Sequence, residues 1–262
     1  MTDVVLSEVT DRVATITLNR PEARNALSQE LQRALRAAVR AAGDDDGVDV
    51  VILTGADPAF CAGLDLKEVG SGATDLGAEM TSQAAASHPG PLPAIAKPII
   101  GAVNGVAITG GFELALNCDF LVASERARFA DTHSRVGIQP GWGLTVLLAE
   151  AVGVRRAREL SATGNFLDAE TALAWGLVNH VVPHDELLPF CRGLAADVVS
   201  NDQAGVRRIL ATYEAQALTT GAEAWALEGE VSREWLRSGG GRPEEVEARR
   251  RAVMERGRSQ QH

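Results

Sequence analysis

Ile99-Ile100-Gly101-Ala102-Val103-Asn104-Gly105 continues through Val106-Ala107-Ile108 into Thr109-Gly110-Gly111-Phe112-Glu113-Leu114, and this stretch decides the fold. Ile99–Val103 is apolar throughout and reads as a buried strand. Asn104-Gly105 is a turn pair. A helix of small residues is then predicted over Gly111–Asn117. An earlier segment repeats the design. Val48–Leu53 is an almost continuously apolar strand, Thr54-Gly55-Ala56-Asp57-Pro58 is a tight turn, and Phe60-Cys61-Ala62-Gly63-Leu64-Asp65-Leu66-Lys67 leads toward a helix. Two passes of strand, small-residue turn and helix predict a layered α/β fold.

Both turns carry a chemical implication. The first amides of a helix have no acceptor within it and point outward. Glycine lets a ligand approach that backbone closely. Two such N–H groups meeting at one oxygen would stabilise negative charge developing on a carbonyl. Other glycine-loop chemistries do not fit. Gly105 and Gly110 have the separation of a phosphate-binding loop, but Gly111 and Phe112 follow where Lys and Ser or Thr are needed. No G-x-G-x-x-G pattern opens a strand-to-helix turn.

The flanking sequence extends the same plan. Val4–Val9 and Val13–Leu18 form a hairpin over Thr10-Asp11-Arg12. Asn19 to Ala26 is a polar loop. Ser28 is the N-cap of a helix that carries Leu31, Leu35, Ala38, Val39 and Ala42 on one stripe and closes at Gly43. Residues 70–93 read as a loop with one short helix. Phe120–Ala123 is a strand, Trp142–Val152 and Val154–Ala162 are helices, and Asp168 caps a helix ending at Gly176 before a strand over Leu177–Val182. From Leu187 the pattern is helical, with Ile209, Leu210 and Tyr213 at helical spacing.

Composition bounds the function. The 262 residues are 45% hydrophobic and 23% charged, enough to bury a sizeable core. No apolar run reaches the roughly 18 residues of a membrane span, and Met1-Thr2-Asp3-Val4 does not open a signal peptide. A cytoplasmic location is expected. Cys61, Cys118 and Cys191 are odd in number and widely spaced, which suits free buried thiols and neither a disulfide framework nor a metal site. A net charge of −10 with a single Tyr argues against nucleic-acid binding. An anionic ligand therefore requires a locally basic patch.

Taken together, Leu18-Asn19-Arg20-Pro21 with Asn25-Ala26-Leu27, the Phe60–Leu66 segment, and Lys97-Pro98 through Ala115 to Cys118-Asp119 resemble the enoyl-CoA hydratase/isomerase family, the crotonases. The resemblance implies a spiral of repeated ββα units over residues 1–190, and a C-terminal helical region over 191–262 that builds a homotrimer or a hexamer. It implies an acyl-CoA thioester substrate, with coenzyme A entering only as part of that substrate and no separate cofactor. It places the amides of Leu64 and Gly110 in the oxyanion hole, and Ala23, Arg24, Ala26, Ala62, Asp65 and Leu66 along the coenzyme A groove, with Arg24 the candidate phosphate contact.

Hydrating a 2-enoyl thioester requires a base for water and an acid for the α-carbon. By resemblance Glu113 is one of two catalytic glutamates. The position of the second is His133, in Asp131-Thr132-His133-Ser134-Arg135-Val136-Gly137-Ile138-Gln139-Pro140-Gly141. Imidazole exchanges protons near neutral pH, and Asp131 stands close enough in sequence to orient or charge it. Thr109 replaces a usual glycine, Leu64 a usual alanine, and Trp142 is available to shape the acyl pocket. Hydration by Glu113 and His133 is the leading expectation. Double-bond isomerisation by a single proton shuttle and non-catalytic acyl-CoA binding are the alternatives. A His133 that faces Glu113 across the groove favours hydration, and a buried or outward His133 favours the other two.

Overall fold

The computed structural model describes residues 3–72 and 90–201 throughout, and beyond them 203–211, 213, 233–234, 236–237, 242–244, 247–248, 250, 254–255 and 258. Most of the loop expected over 70–93 lies outside the described residues.

Strands β1 (Val5–Thr10) and β2 (Val13–Leu18) pair antiparallel, from Thr10 opposite Val13 to Val5 opposite Leu18. Asp11 and Arg12 at the turn both have positive φ, the backbone a two-residue hairpin needs to match strand twist. Helix α1 (Gln29–Asp44) begins where the Ser28 side chain accepts from Leu31 N–H at 3.1 Å. Its Leu31, Leu35, Val39 and Ala42 turn inward as a single stripe.

Every residue of β3 (Val50–Gly55) is buried, as befits a strand covered on both faces. It lies in a six-stranded sheet, order β1-β2-β3-β5-β7-β10, with β5 (Ile99–Val103), β7 (Phe120–Ser124) and β10 (His180–Val182). All pairings from β2 onward are parallel. A second sheet has the order β4-β6-β8-β9 and consists of β4 (Ala59–Cys61), β6 (Val106–Ile108), β8 (Arg128–Ala130) and β9 (Leu167–Asp168). Its first two pairings are parallel and the last is antiparallel.

From β3 to β8 the chain alternates between the two sheets. β3, β5 and β7 lie in the large sheet; β4, β6 and β8 follow them into the small one and lead into helices α2 (Leu66–Gly70), α3 (Gly110–Leu116) and α4 (His133–Val136). This is the repeated ββα spiral. Three-residue strands are too short to display a period, so the second strand of each unit was not visible in the sequence, and neither was α4.

Helices α5 (Leu144–Val152), α6 (Val154–Thr163) and α7 (Ala169–Trp175) follow, α7 capped by Asp168 as expected. The next strand is shorter than predicted and starts at His180, since the Leu177 N–H still closes α7 by donating to Ala172 O at 2.9 Å. The boundary expected at 190/191 falls inside one continuous helix, α8 (Leu187–Val199). Its Leu187, Cys191 and Ala195 seal Val50, Ile52, Ile100 and Val122 of the large sheet, so this helix belongs to the core layer. No helix among the described residues is long and apolar enough to cross a membrane.

Candidate active site

Parallel strands end on the same side, so β4, β6 and β8 deliver their following residues to one edge of the small sheet. After β4 come Ala62-Gly63-Leu64, after β6 Thr109-Gly110, and after β8 Asp131-Thr132-His133. The first loop is fixed by a bridge to Leu27, whose N–H donates to Gly63 O at 2.8 Å while its carbonyl accepts from Asp65 N–H at 3.2 Å. Leu64 is stepped over, and its own N–H has no acceptor among the described residues. Gly63 has φ +90°, which turns that amide toward the neighbouring unit.

Gly110 supplies the first amide of α3 and likewise finds no acceptor among the described residues. A Cβ built on Gly63 would lie 3.5 Å from Gly110 N, and one built on Gly110 would lie 3.7 Å from Leu64 N. The two amides are therefore neighbours. At Gly111 a Cβ would fall 2.1 Å from Cys61 O, so only glycine lets α3 pack this closely on β4. Thr109, just before them, has φ 53° and ψ −113°, a conformation side chains avoid. Its N–H donates to Ala130 O at 2.9 Å, and its hydroxyl lies 2.6 Å from the Thr132 hydroxyl.

Glu113 sits one turn into α3 and is buried. Its Oε1 accepts from Trp142 N–H at 2.8 Å and Gly141 N–H at 3.3 Å. Asn117 ties that turn to the same helix, donating to Glu113 O at 2.8 Å and Trp142 O at 3.0 Å. Glu113 Oε2 lies 3.6 Å from His133 Nε2. The imidazole is thus both buried and facing the carboxylate, two conditions that the sequence reading treated as exclusive.

On its far side, His133 Nδ1 lies 2.7 Å from Asp131 Oδ1, which also accepts from His133 N–H at 3.1 Å. Burial pushes the Asp131 carboxyl up. The hydrogen bond and charge of His133, with help from Ser161 and the His133 amide, more than offset this and leave it below the usual carboxylate range. Asp131 is therefore an acceptor, which puts the proton of the Nδ1–Asp131 bond on Nδ1 and turns Nε2 to Glu113.

These groups adjoin a cleft of about 500 Å³. All six residues expected along the coenzyme A groove line it: Ala23, Arg24, Ala26, Ala62, Asp65 and Leu66. Leu64 and His133 line it too, while Glu113 and Gly110 are buried behind that surface. The cleft is basic in an acidic chain. Arg20, Arg24, Lys67, Arg135, Arg250 and Arg258 line it against Glu22 and Asp65. Most of these cations escaped the sequence reading. Arg20, for instance, donates to Ala26 O at 2.6 Å and Asp65 Oδ2 at 3.1 Å, bracing the groove loop from beneath. Trp142 packs its ring on Gly110, with Cζ3 3.1 Å from a Cβ built there, so it shapes the wall beside that amide as a core residue. Cys61 is next to the site, but burial pushes its thiol up to about 12, which keeps it protonated and unreactive.

Comparison with known proteins agrees with this architecture. A family profile described as enoyl-CoA hydratase/isomerase matches residues 8–239. A protein of Arabidopsis thaliana named probable enoyl-CoA hydratase 1, peroxisomal, is 43% identical over 202 residues, covering 75% of this chain and 73% of its own. The crotonyl-CoA hydratase of Syntrophomonas wolfei is 35% identical over 215 residues, covering 78% of each chain. A crystal structure of an enoyl-CoA hydratase from Mycobacterium smegmatis superposes with a TM-score of 0.81 at 51% identity, covering 90% of this chain and 100% of that one.

Proposed function

This chain belongs to the enoyl-CoA hydratase/isomerase family, and from that premise we propose that it is a hydratase adding water across the double bond of a 2-enoyl-CoA. The observation that carries the reading is the pair Glu113 and His133, 3.6 Å apart, beside the neighbouring amides of Leu64 and Gly110.

The thioester oxygen accepts from Leu64 N–H and Gly110 N–H, which makes the β-carbon electrophilic. Glu113 Oε2 takes a proton from water as the water oxygen bonds to the β-carbon. The electron pair of the double bond moves toward the thioester, and the resulting enolate oxygen is held by the same two amides. His133 Nε2–H then gives its proton to the α-carbon. The proton on Glu113 returns to His133 across the short gap, so the site resets with one water consumed. The anchoring of Oε1 by Gly141 and Trp142 supports this division of labour, because it directs the other oxygen at the imidazole.

Arg24 and the other cations of the cleft are assigned to the phosphates of coenzyme A, and Leu64 with Trp142 to the acyl end. The proposed chemistry calls on no cofactor beyond the coenzyme A carried by the substrate. A cytoplasmic location is supported by the three free thiols. A homotrimer or hexamer is supported by Ile209 and Tyr213, apolar residues after α8 that are exposed in the single chain.

Purified protein given crotonyl-CoA should bleach the conjugated enoyl absorbance. Glu113→Gln should lower kcat about 10²–10⁴-fold with little change in KM. Wild type that leaves crotonyl-CoA intact but gains absorbance from a 3-enoyl-CoA would overturn hydration in favour of isomerisation. Tight binding with no turnover on a panel of enoyl thioesters would overturn catalysis altogether.

A further inference from the structure

We infer that Asp131 is a positioning residue that makes the His133–Glu113 pair function as an acid and base sharing one proton. The inference rests on the hydratase reading and deepens it. An imidazolium beside a carboxylate is not equivalent to two carboxyl groups, since it differs by one unit of charge. Two carboxyls sharing a proton carry a single negative charge. Glu113 carboxylate with a His133 imidazolium is neutral. Adding the buried Asp131 carboxylate restores the same single negative charge to the cluster.

The geometry matches that role. One oxygen, Asp131 Oδ1, meets both the Nδ1 and the main-chain N–H of His133, at 2.7 and 3.1 Å, so ring and backbone are held by a single acceptor. The ring has one tautomer available when neutral, with the proton on Nδ1. When charged it aims Nε2–H at the space shared with Glu113. All three side chains are buried, where such pairing counts for more than in water. Charged groups that meet the ring include Asp131 from the end of β8 and Glu113 from α3. From α6, Ser161 bonds Asp131, and Arg135 on the ring's own helix reaches Thr163 O and Asn165. Arg24, Asp65 and Lys67 line the same cleft as His133.

Without the Asp131 charge the imidazolium is less stable, so His133 loses its proton at lower pH. In Asp131→Asn the basic limb of the kcat profile for crotonyl-CoA should therefore move down by about a pH unit or more. The kcat at neutral pH should fall about a hundredfold with KM nearly unchanged. Asp131→Glu, which keeps the charge, should restore the limb. A basic limb unmoved in Asp131→Asn would overturn the inference while leaving hydration intact, whereas a wild type that does not hydrate crotonyl-CoA sinks the hydratase reading instead. A readout that needs no folded Asp131 variant is ¹⁵N NMR of histidine-labelled wild type, with the signals assigned by His133→Gln. Nδ1 protonated throughout and Nε2 titrating is expected; a bare Nδ1 in the neutral ring would overturn the assignment.

Discussion

Thr109 occupies a conformation, φ 53° and ψ −113°, that costs a non-glycine residue about 1–3 kcal/mol. Its N–H is held by Ala130 O, and the hydroxyl pair with Thr132 joins the segment bearing the Gly110 amide to the segment bearing His133. The two effects can be separated. Thr109→Val keeps the strain, removes the hydroxyl and leaves buried Thr132 with one partner fewer, so it should cost about 1–3 kcal/mol in urea denaturation. Thr109→Gly relaxes the backbone while losing the same bond and gaining freedom in the unfolded chain. It should lie within about 1 kcal/mol of wild type. Equal losses in both variants would show that the strain is not stored at this position. At this scale the family resemblance carried by local motifs pointed to Glu113, Leu64, Gly110 and the groove residues. It pointed to His133 as the position where the resembled family has a second glutamate, and to Asp131 as its neighbour two residues earlier. That a single Asp131 oxygen meets both the ring Nδ1 and the main-chain N–H of His133, and that Arg20 braces Asp65, are matters of distance that no spacing encodes.

The elements that place these residues are the shortest ones. β4, β6 and β8 have three residues each, yet their parallel pairing is what brings Leu64, Gly110 and His133 to one edge. The long apolar strands, the hairpin and α1 were legible because they show a period, a cap or a turn signal over enough residues. The small sheet was hidden because runs of three residues such as Ala-Phe-Cys and Val-Ala-Ile are too short to show a period. Its stability rests on close backbone approach, and Gly111 is where this is tightest, with a prospective Cβ 2.1 Å from Cys61 O on β4 and 2.8 Å from the Cys61 Cβ. Backbone cannot rotate away as a side chain tip can. Gly111→Ala should therefore push α3 off β4, lowering stability by about 3 kcal/mol and moving the Gly110 amide and Glu113 together. A thermal melt and a crotonyl-CoA assay check this. Full activity with an unchanged midpoint would mean that the contact between α3 and β4 yields at little cost.

For the whole molecule, charge is the property that sequence totals describe worst. The cations lining the cleft come from positions 20, 24, 67, 135, 250 and 258, so only the fold assembles them into one basic patch on a chain of charge −10. The same holds for acid stability. Asp49 is buried and bonded by Arg12, with Arg207 at 3.4 Å; the Arg12 hydrogen bond, opposed by burial and aided by both guanidinium charges, sets its carboxyl below the usual range. Asp131 is lowered against the effect of its burial by His133, and Asp168 by the Thr171 amide and hydroxyl at the start of α7. A carboxyl depressed on folding binds its proton more readily in the unfolded chain, where its pKa is about 3.9. Its contribution to stability is therefore complete above that value and is lost as pH falls through the lower, folded one. Protonation also relieves the net negative charge, which acts in the opposite direction, but that repulsion is spread over a screened surface while the paired carboxylates are local and buried. The local effect should win. Unfolding free energy from urea titrations should be flat with respect to these groups from pH 7 to 5 and fall steadily below about pH 4. Asp49→Asn should be less stable at pH 7 and show a shallower fall, since it has one depressed carboxyl fewer. A variant curve parallel to wild type across the acid range would mean that Asp49 titrates alike in both states, and that the Arg12 and Arg207 contacts do not hold its charge.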